Sequence, residues 1–157
     1  MAENPLTVVR QMLQGYADRG IFRGFSEKKT KDGKNEFKFL WLTGQPMTLI
    51  YEGKNSTLRF KNLLLNVPSH STMYLDLEAF VKGKVDGDLP KHRRIDSQLA
   101  EVECSNRGGK VSIVLKVRRG KYRYGVNKIV NLIHEIFLFL RSSWADYMWE
   151  NVDATKE

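Results

Sequence analysis

The feature that most constrains this chain is its last long segment. From Val126 to Glu150 the apolar residues Val126, Ile129, Val130, Ile133, Ile136, Phe137, Leu140, Trp144, Tyr147 and Met148 keep helical spacing. At 100° per residue they fill about one third of the circumference, the stripe of a helix lying on a flat apolar surface. A helix of that length would run about 38 Å, longer than an eight-residue strand at about 26 Å. The spacing therefore predicts one unbroken helix that crosses a sheet and overhangs it. Leu138 and Trp149 fall on one flank of its stripe, and Leu132 and Phe139 on another. A helix resting on a sheet alone would leave all four wet. Either the rest of the chain covers them or they form an interface between subunits, which makes Leu138 and Trp149 candidates for a homodimer contact.

The remainder of the chain supplies that sheet. Asn4 before Pro5 reads as an N-cap and first helical residue, with Leu6, Val9, Leu13 and Tyr16 at helical spacing up to Gly20. Strands are expected at Ile21 to Glu27, Glu36 to Thr43, Met47 to Glu52 and Thr57 to Leu64, with turn signals between them. Such short connections imply an antiparallel meander. Within the second strand Phe37, Phe39 and Trp41 share one face, read as core before a base-stacking platform. Leu99 to Cys104 and Val111 to Val117 flank Asn106-Arg107-Gly108-Gly109 as a hairpin.

Two segments between them are less regular. Residues 72–82 fit a strand by alternation and a helix by the stripe Tyr74, Leu77, Phe80, Val81, and Ser71 and Gly83 as caps tip the expectation to helix. Lys84 to Asp96 has the composition of a loop. Asp86 and Asp88 in it do not make a calcium loop, because Pro90, His92 and Arg94 stand where oxygen ligands are needed. The fold class expected is α+β: an antiparallel sheet of about six strands, an N-terminal helix, and a long C-terminal amphipathic helix packed across the sheet.

A chain of 157 residues fits a single α+β domain over 1–157, with residues 1–4 and 152–157 expected to fray. The longest uninterrupted apolar run, Ile136 to Leu140, is far too short to span a bilayer, so integral membrane association is not expected. The first ten residues lack the apolar stretch of a secretory signal, and the lone Cys104 cannot form an internal disulfide. A reducing, cytoplasmic setting is the expectation. Asn55-Ser56-Thr57 then counts as a chance match to a glycosylation acceptor.

Motifs of chemistry are few. His70, His92 and His134 do not pair at metal-ligand spacing, and Leu138 replaces the second histidine that His134-Glu135 would need on a zinc-protease helix. No metal site and no cofactor is expected. His134 borders the apolar stripe, where a histidine bonded to a neighbouring strand is the ordinary occupant. Cys104 reads as a small buried apolar residue, and Glu101 and Glu103 as cross-strand partners of Lys116 and Arg118. There is no phosphate-cradling glycine loop and no nucleophile elbow, so catalysis has no linear support.

Charge is the positive signal. Twenty-six basic against 18 acidic residues give a net charge of +8. The basic residues gather in three clusters: Lys91-His92-Arg93-Arg94, then Arg107 and Lys110 at the hairpin turn, then Arg118, Arg119, Lys121 and Arg123 interleaved with Tyr122 and Tyr124. Positive groups on exposed backbone beside aromatic rings suit phosphates or acidic side chains. The leading expectation is a non-enzymatic binding domain that holds an anionic partner, a nucleic acid or an acidic protein. The competing one is a small-ligand carrier or enzyme with an apolar cavity between sheet and C-terminal helix, lined by Phe37, Phe39, Trp41, Ile133, Phe137 and Trp144.

Overall fold

The structure, a computed structural model, describes residues 4–153. It contains α1 (Pro5–Asp18), β1 (Arg23–Lys29), β2 (Asn35–Leu40), β3 (Pro46–Glu52), β4 (Thr57–Leu64), α2 (Thr72–Lys82), β5 (Ala100–Arg107), β6 (Lys110–Val117), α3 (Tyr122–Ser143) and α4 (Ala145–Met148). The strands form one antiparallel sheet in the order β1-β2-β3-β4-β6-β5. This is the α+β architecture read from the sequence.

Residues 72–82 are helical, with the Ser71 hydroxyl accepting from the Tyr74 amide at 3.2 Å. Asn4 caps α1 by accepting from the amides of Leu6 and Thr7. Val152 is half-buried and Asp153 is paired with Arg141 at 2.7 Å. Of the ends expected to fray, 1–3 and 154–157 lie outside the described residues.

One face of the sheet carries the core. Phe37, Phe39, Leu49, Leu58, Phe60, Ile113 and Leu115 are all essentially inaccessible beneath the helices. The second-strand aromatics are therefore core: Phe22 stacks on Phe39 at 4.0 Å and meets Trp41 edge-on at 5.3 Å. The opposite face is a polar surface, and register aligns Glu36, Ile50, Arg59, Val114 and Glu103 across five strands. No described strand residue on that face is aromatic, so it offers bases nothing to stack on.

The long helix departs from the expectation at both ends. It begins four residues early, at Tyr122, and it stops at Trp144, whose backbone (φ −134°, ψ 49°) is not helical. A second short helix, α4, and a π-helical turn at Trp149–Asp153 follow. The break is set by tertiary bonds. Trp144 Nε1 donates to Asp76 of α2 at 3.2 Å, Tyr147 donates its hydroxyl proton to the Leu65 carbonyl, and Arg141 Nη2 donates to the Leu42 carbonyl at 3.0 Å. Instead of overhanging the sheet, the chain turns back and buries Met148. At 22 residues α3 still spans about 33 Å.

Gly125 explains how closely α3 lies on the sheet. A Cβ there would come within 2.8 Å of a Val117 methyl and 3.4 Å of a Leu115 methyl. The flanks of the stripe separate into two outcomes. Leu132 is buried, and Phe139 stacks on Phe80 of α2 at 4.6 Å, so α2 covers that side from within the chain. Leu138 and Trp149 stay 54% and 66% exposed, and the break at Trp144 places them on different elements.

The sheet has one internal irregularity. β4 pairs with β3 only as far as Phe60 with Leu49, and its pairing with β6 jumps from Phe60–Ile113 to Leu64–Val111. Lys61, Asn62 and Leu63 therefore bulge out opposite Ser112 alone, with Asn62 at φ 50° and its amide donating to the Ser112 hydroxyl at 2.9 Å.

Candidate anion-binding cleft

The β6–α3 connection is only four residues, 118–121, and Arg119 and Gly120 in it both take left-handed backbone (φ 56° and 65°). The amide of Arg118 donates to the Leu99 carbonyl at 2.9 Å, which ties this turn to the residues entering β5. The first turn of α3 thus lies against the segment that follows the Lys91–Arg94 cluster. Sequence distance hides this proximity.

That segment is held to α3 by polar bonds. Lys84, in a 3₁₀ turn at Gly83–Val85, is almost fully buried and pairs with Glu135, while its carbonyl accepts from the Ile95 amide at 2.8 Å. Lys128 is also buried, and its ammonium donates to the carbonyls of Lys91 and His92, each at 3.2 Å. The Tyr124 hydroxyl accepts from the Asp96 amide at 2.8 Å, which leaves its own proton to donate. Three α3 side chains accordingly fix the basic loop. Burial pushes the Lys128 amine below the ordinary lysine range, with Glu135 opposing and Arg94 reinforcing that shift.

Between loop and helix lies a cleft of about 480 Å³ lined by Lys91, His92, Arg94, Asp96, Leu99, Tyr124 and Lys128. Leu99 and the Tyr124 ring contribute apolar lining, and Lys128 Nζ sits over that ring 5.4 Å from its centroid. The walls are cationic apart from Asp96. The arrangement suits an anion attached to an apolar body, met by loop cations and by the tyrosine hydroxyl.

The residues expected to bind an anion divide by position. His92 and Arg94 line the cleft, and Arg119 and Lys121 are exposed on the adjoining turn. Arg93 faces Glu135 at 3.9 Å, and Arg118 is paired with Glu101 at 2.7 Å, so both are partly neutralised. Arg123 is exposed on the first turn of α3. Arg107 and Lys110 stand apart, at the β5–β6 turn, the far end of an eight-residue hairpin and so roughly 25 Å away. Two clusters converge and the third does not.

Tyr124 belongs to the basic cluster interleaved with aromatics, whereas Lys128, Asp96 and Leu99 are cleft residues that no motif marked. Lys128 had a signal: it is a lysine among the buried positions Val126, Ile129 and Leu132 of an apolar helix. Elsewhere, His134 is exposed on α3 and makes no bond to a strand, contrary to expectation. Cys104 is half-buried, and burial followed by Glu78 pushes its thiol up to about 12, which keeps it protonated. Of the six residues proposed to line a cavity, Phe37, Phe39, Ile133 and Phe137 pack into the core, and Phe137 also borders a smaller cleft at the β4 bulge. No group of three or more His, Cys, Asp or Glu that could hold a metal occurs among the described residues.

Fold and cleft together define a two-layer α+β protein, an antiparallel sheet with helices on one face. No protein-family model, curated protein or solved structure matches the chain. No helix among the described residues is long and apolar enough to cross a membrane.

Proposed function

We propose that this protein is a non-enzymatic binding domain that holds an acidic segment of a partner protein in the cleft between the Lys91–Arg94 loop and the start of α3. The reading rests on one observation: Lys91, His92 and Arg94 of the basic loop and Lys128 of α3 line one cleft together with Leu99 and the Tyr124 ring, and the exposed Arg119–Lys121 turn adjoins it. An acidic side chain would meet Lys91, Arg94 and the Tyr124 hydroxyl, and a neighbouring apolar residue would rest on Leu99. Single-stranded nucleic acid fits less well, because successive bases need a run of stacking rings and the cleft lining offers only the Tyr124 phenol and the His92 imidazole.

The test compares binding of a fluorescent acidic-apolar peptide and of a labelled oligonucleotide to the wild type and to the double variant Lys91→Glu, Arg94→Glu. The proposal expects the peptide to bind and the variant to weaken it about tenfold or more, as charge reversal at a partly desolvated contact should. Equal peptide binding by the folded variant would refute it. Tighter binding of the oligonucleotide, lost in the same variant, would transfer the site to nucleic acid.

A further inference from the structure

The bulge in β4 opens a second cleft, remote from the basic one. From Pro46 to Thr48, β3 is paired with β2 on one side, and no partner on the β4 side continues the Leu49–Phe60 register. Facing it, Lys61 to Leu63 have left the ladder with β6. Inside a six-stranded sheet, two three-residue stretches therefore face each other outside the ladder. The Asn62 amide is satisfied by the Ser112 hydroxyl at 2.9 Å, whereas the β3 stretch has no ladder partner on this side, and backbone polar groups in such a place ordinarily find one. The space between them holds about 260 Å³. Phe137 of α3 closes it behind, Met47 and Leu63 line its apolar side, and Thr43, Gln45, Thr48, Asn62 and Asn151 bring polar side chains to it. Lys61 is the only charged residue among those lining it, it is exposed, and among the described residues no carboxylate pairs with it.

We propose that this slot binds a short extended peptide carrying a carboxylate, which pairs its backbone along the free edge of β3 at Pro46–Thr48 and sets its negative charge on Lys61. Three residues of extended chain measure about 10 Å, the length of the free edge. Strand addition of this kind gives affinity from main-chain hydrogen bonds and selectivity from the side chains that flank the slot. A single cation among neutral hydroxyls and amides selects one carboxylate over a polyanion. That separates this occupant from the ligand of the basic cleft, on whose assignment the present inference does not depend.

The test uses the whole chain, labelled with nitrogen-15, titrated with three synthetic tripeptides: acetyl-Val-Thr-Glu-amide, acetyl-Val-Thr-Lys-amide, and the acidic peptide N-methylated at its central amide. The acidic peptide should shift the amides of Thr48, Lys61 and Leu63 saturably, and the basic peptide should bind about tenfold more weakly. N-methylation should weaken binding by a similar factor, a loss that charge attraction alone would not produce. Lys61→Glu, on an exposed side chain, should keep the native spectrum and reverse the preference between acidic and basic peptides. Absence of shifts at millimolar peptide, equal binding of the N-methylated peptide, or shifts confined to residues 91–96 and 124–128 would each overturn the proposal.

Discussion

Single residues decide how this helix and sheet fit together, and Gly125 is the sharpest case. Alanine favours a helix over glycine by about 1 kcal/mol. Its methyl would nevertheless land 2.8 Å from the Val117 side chain, which is itself buried and cannot yield. Overpacking of this kind costs about 1–3 kcal/mol. Gly125→Ala should therefore lower the thermal midpoint, read by circular dichroism, although the same change on an exposed helix position would raise it. Glu27 makes a prediction about pH. Its carboxylate accepts from Arg10 at 2.6 and 2.7 Å and from Asn35 at 2.9 Å, and the Arg10 bond is the chief reason that its pKa lies below the ordinary glutamate value. A folded pKa held below the unfolded one stabilises the protein above the unfolded value, near 4.5, and that gain is lost as pH falls through the folded value. Denaturant titrations of wild type and Glu27→Gln should then differ at pH 7 and converge as the medium is acidified below 4.5. A constant difference across that range would mean the pair contributes nothing through its charge.

At the scale of elements, polar side chains attach the irregular segments to a rigid frame. The loop from Gly83 to Leu99 has little apolar material of its own beyond Ile95, and Lys84, Lys128 and Tyr124 anchor it instead. Removing Glu135 would strand the Lys84 ammonium, 4% exposed and 4.6 Å from the Phe80 ring. Leaving one member of a buried pair uncompensated costs about 3 kcal/mol. Glu135→Ala should destabilise by roughly that amount, whereas Lys84→Met with Glu135→Leu should recover most of the loss. Urea denaturation of the three proteins measures both. The elements differ in how far they were legible. Hydrophobic spacing located α1, β2, β3, β4 and β6, each of which turns buried residues to the core, whereas α2 is tipped to helix by its caps and β1 is exposed at six of its seven residues. It could not locate the end of α3, because Tyr147 and Met148 continue the apolar spacing past Trp144. The stop comes from bonds to Asp76, Leu42 and Leu65, residues far away in the chain. The start was hidden for a related reason: Lys121 makes no side-chain cap bond, and Arg119 reaches left-handed backbone without being glycine. The bulge at Lys61–Leu63 breaks no pattern that spacing can detect, since Leu64 returns to the core face.

For the whole molecule, the arrangement of charge matters more than its total. Net charge read from the sequence treats three basic clusters as equivalent, but an antiparallel hairpin puts its turn and its open end on opposite sides. Arg107 and Lys110 are thus separated from Arg94, Arg119 and Lys121 by the length of β5 and β6. Arg93 and Arg118 face carboxylates, which reduces the field they project. What remains is Lys91 and Arg94 in the cleft lining, with Arg119 and Lys121 exposed on the adjoining turn, and an outer sheet face that carries carboxylates among its lysines. A field of this shape distinguishes a local site from diffuse attraction. If an acidic partner engages the cleft, raising salt from 50 to 200 mM should weaken binding about fivefold or more, since exposed charges lose attraction as the screening length shrinks. Reversing Arg119 and Lys121 to glutamate should flatten that dependence and slow association, because they steer the ligand without lining the cleft. Reversing Arg107 and Lys110 changes the net charge by the same amount and should leave both nearly unaltered. Stopped-flow association measured at the two salt concentrations separates the cases: equal effects of the two double variants would show that the partner reads total charge, and the cleft would lose its claim as the site.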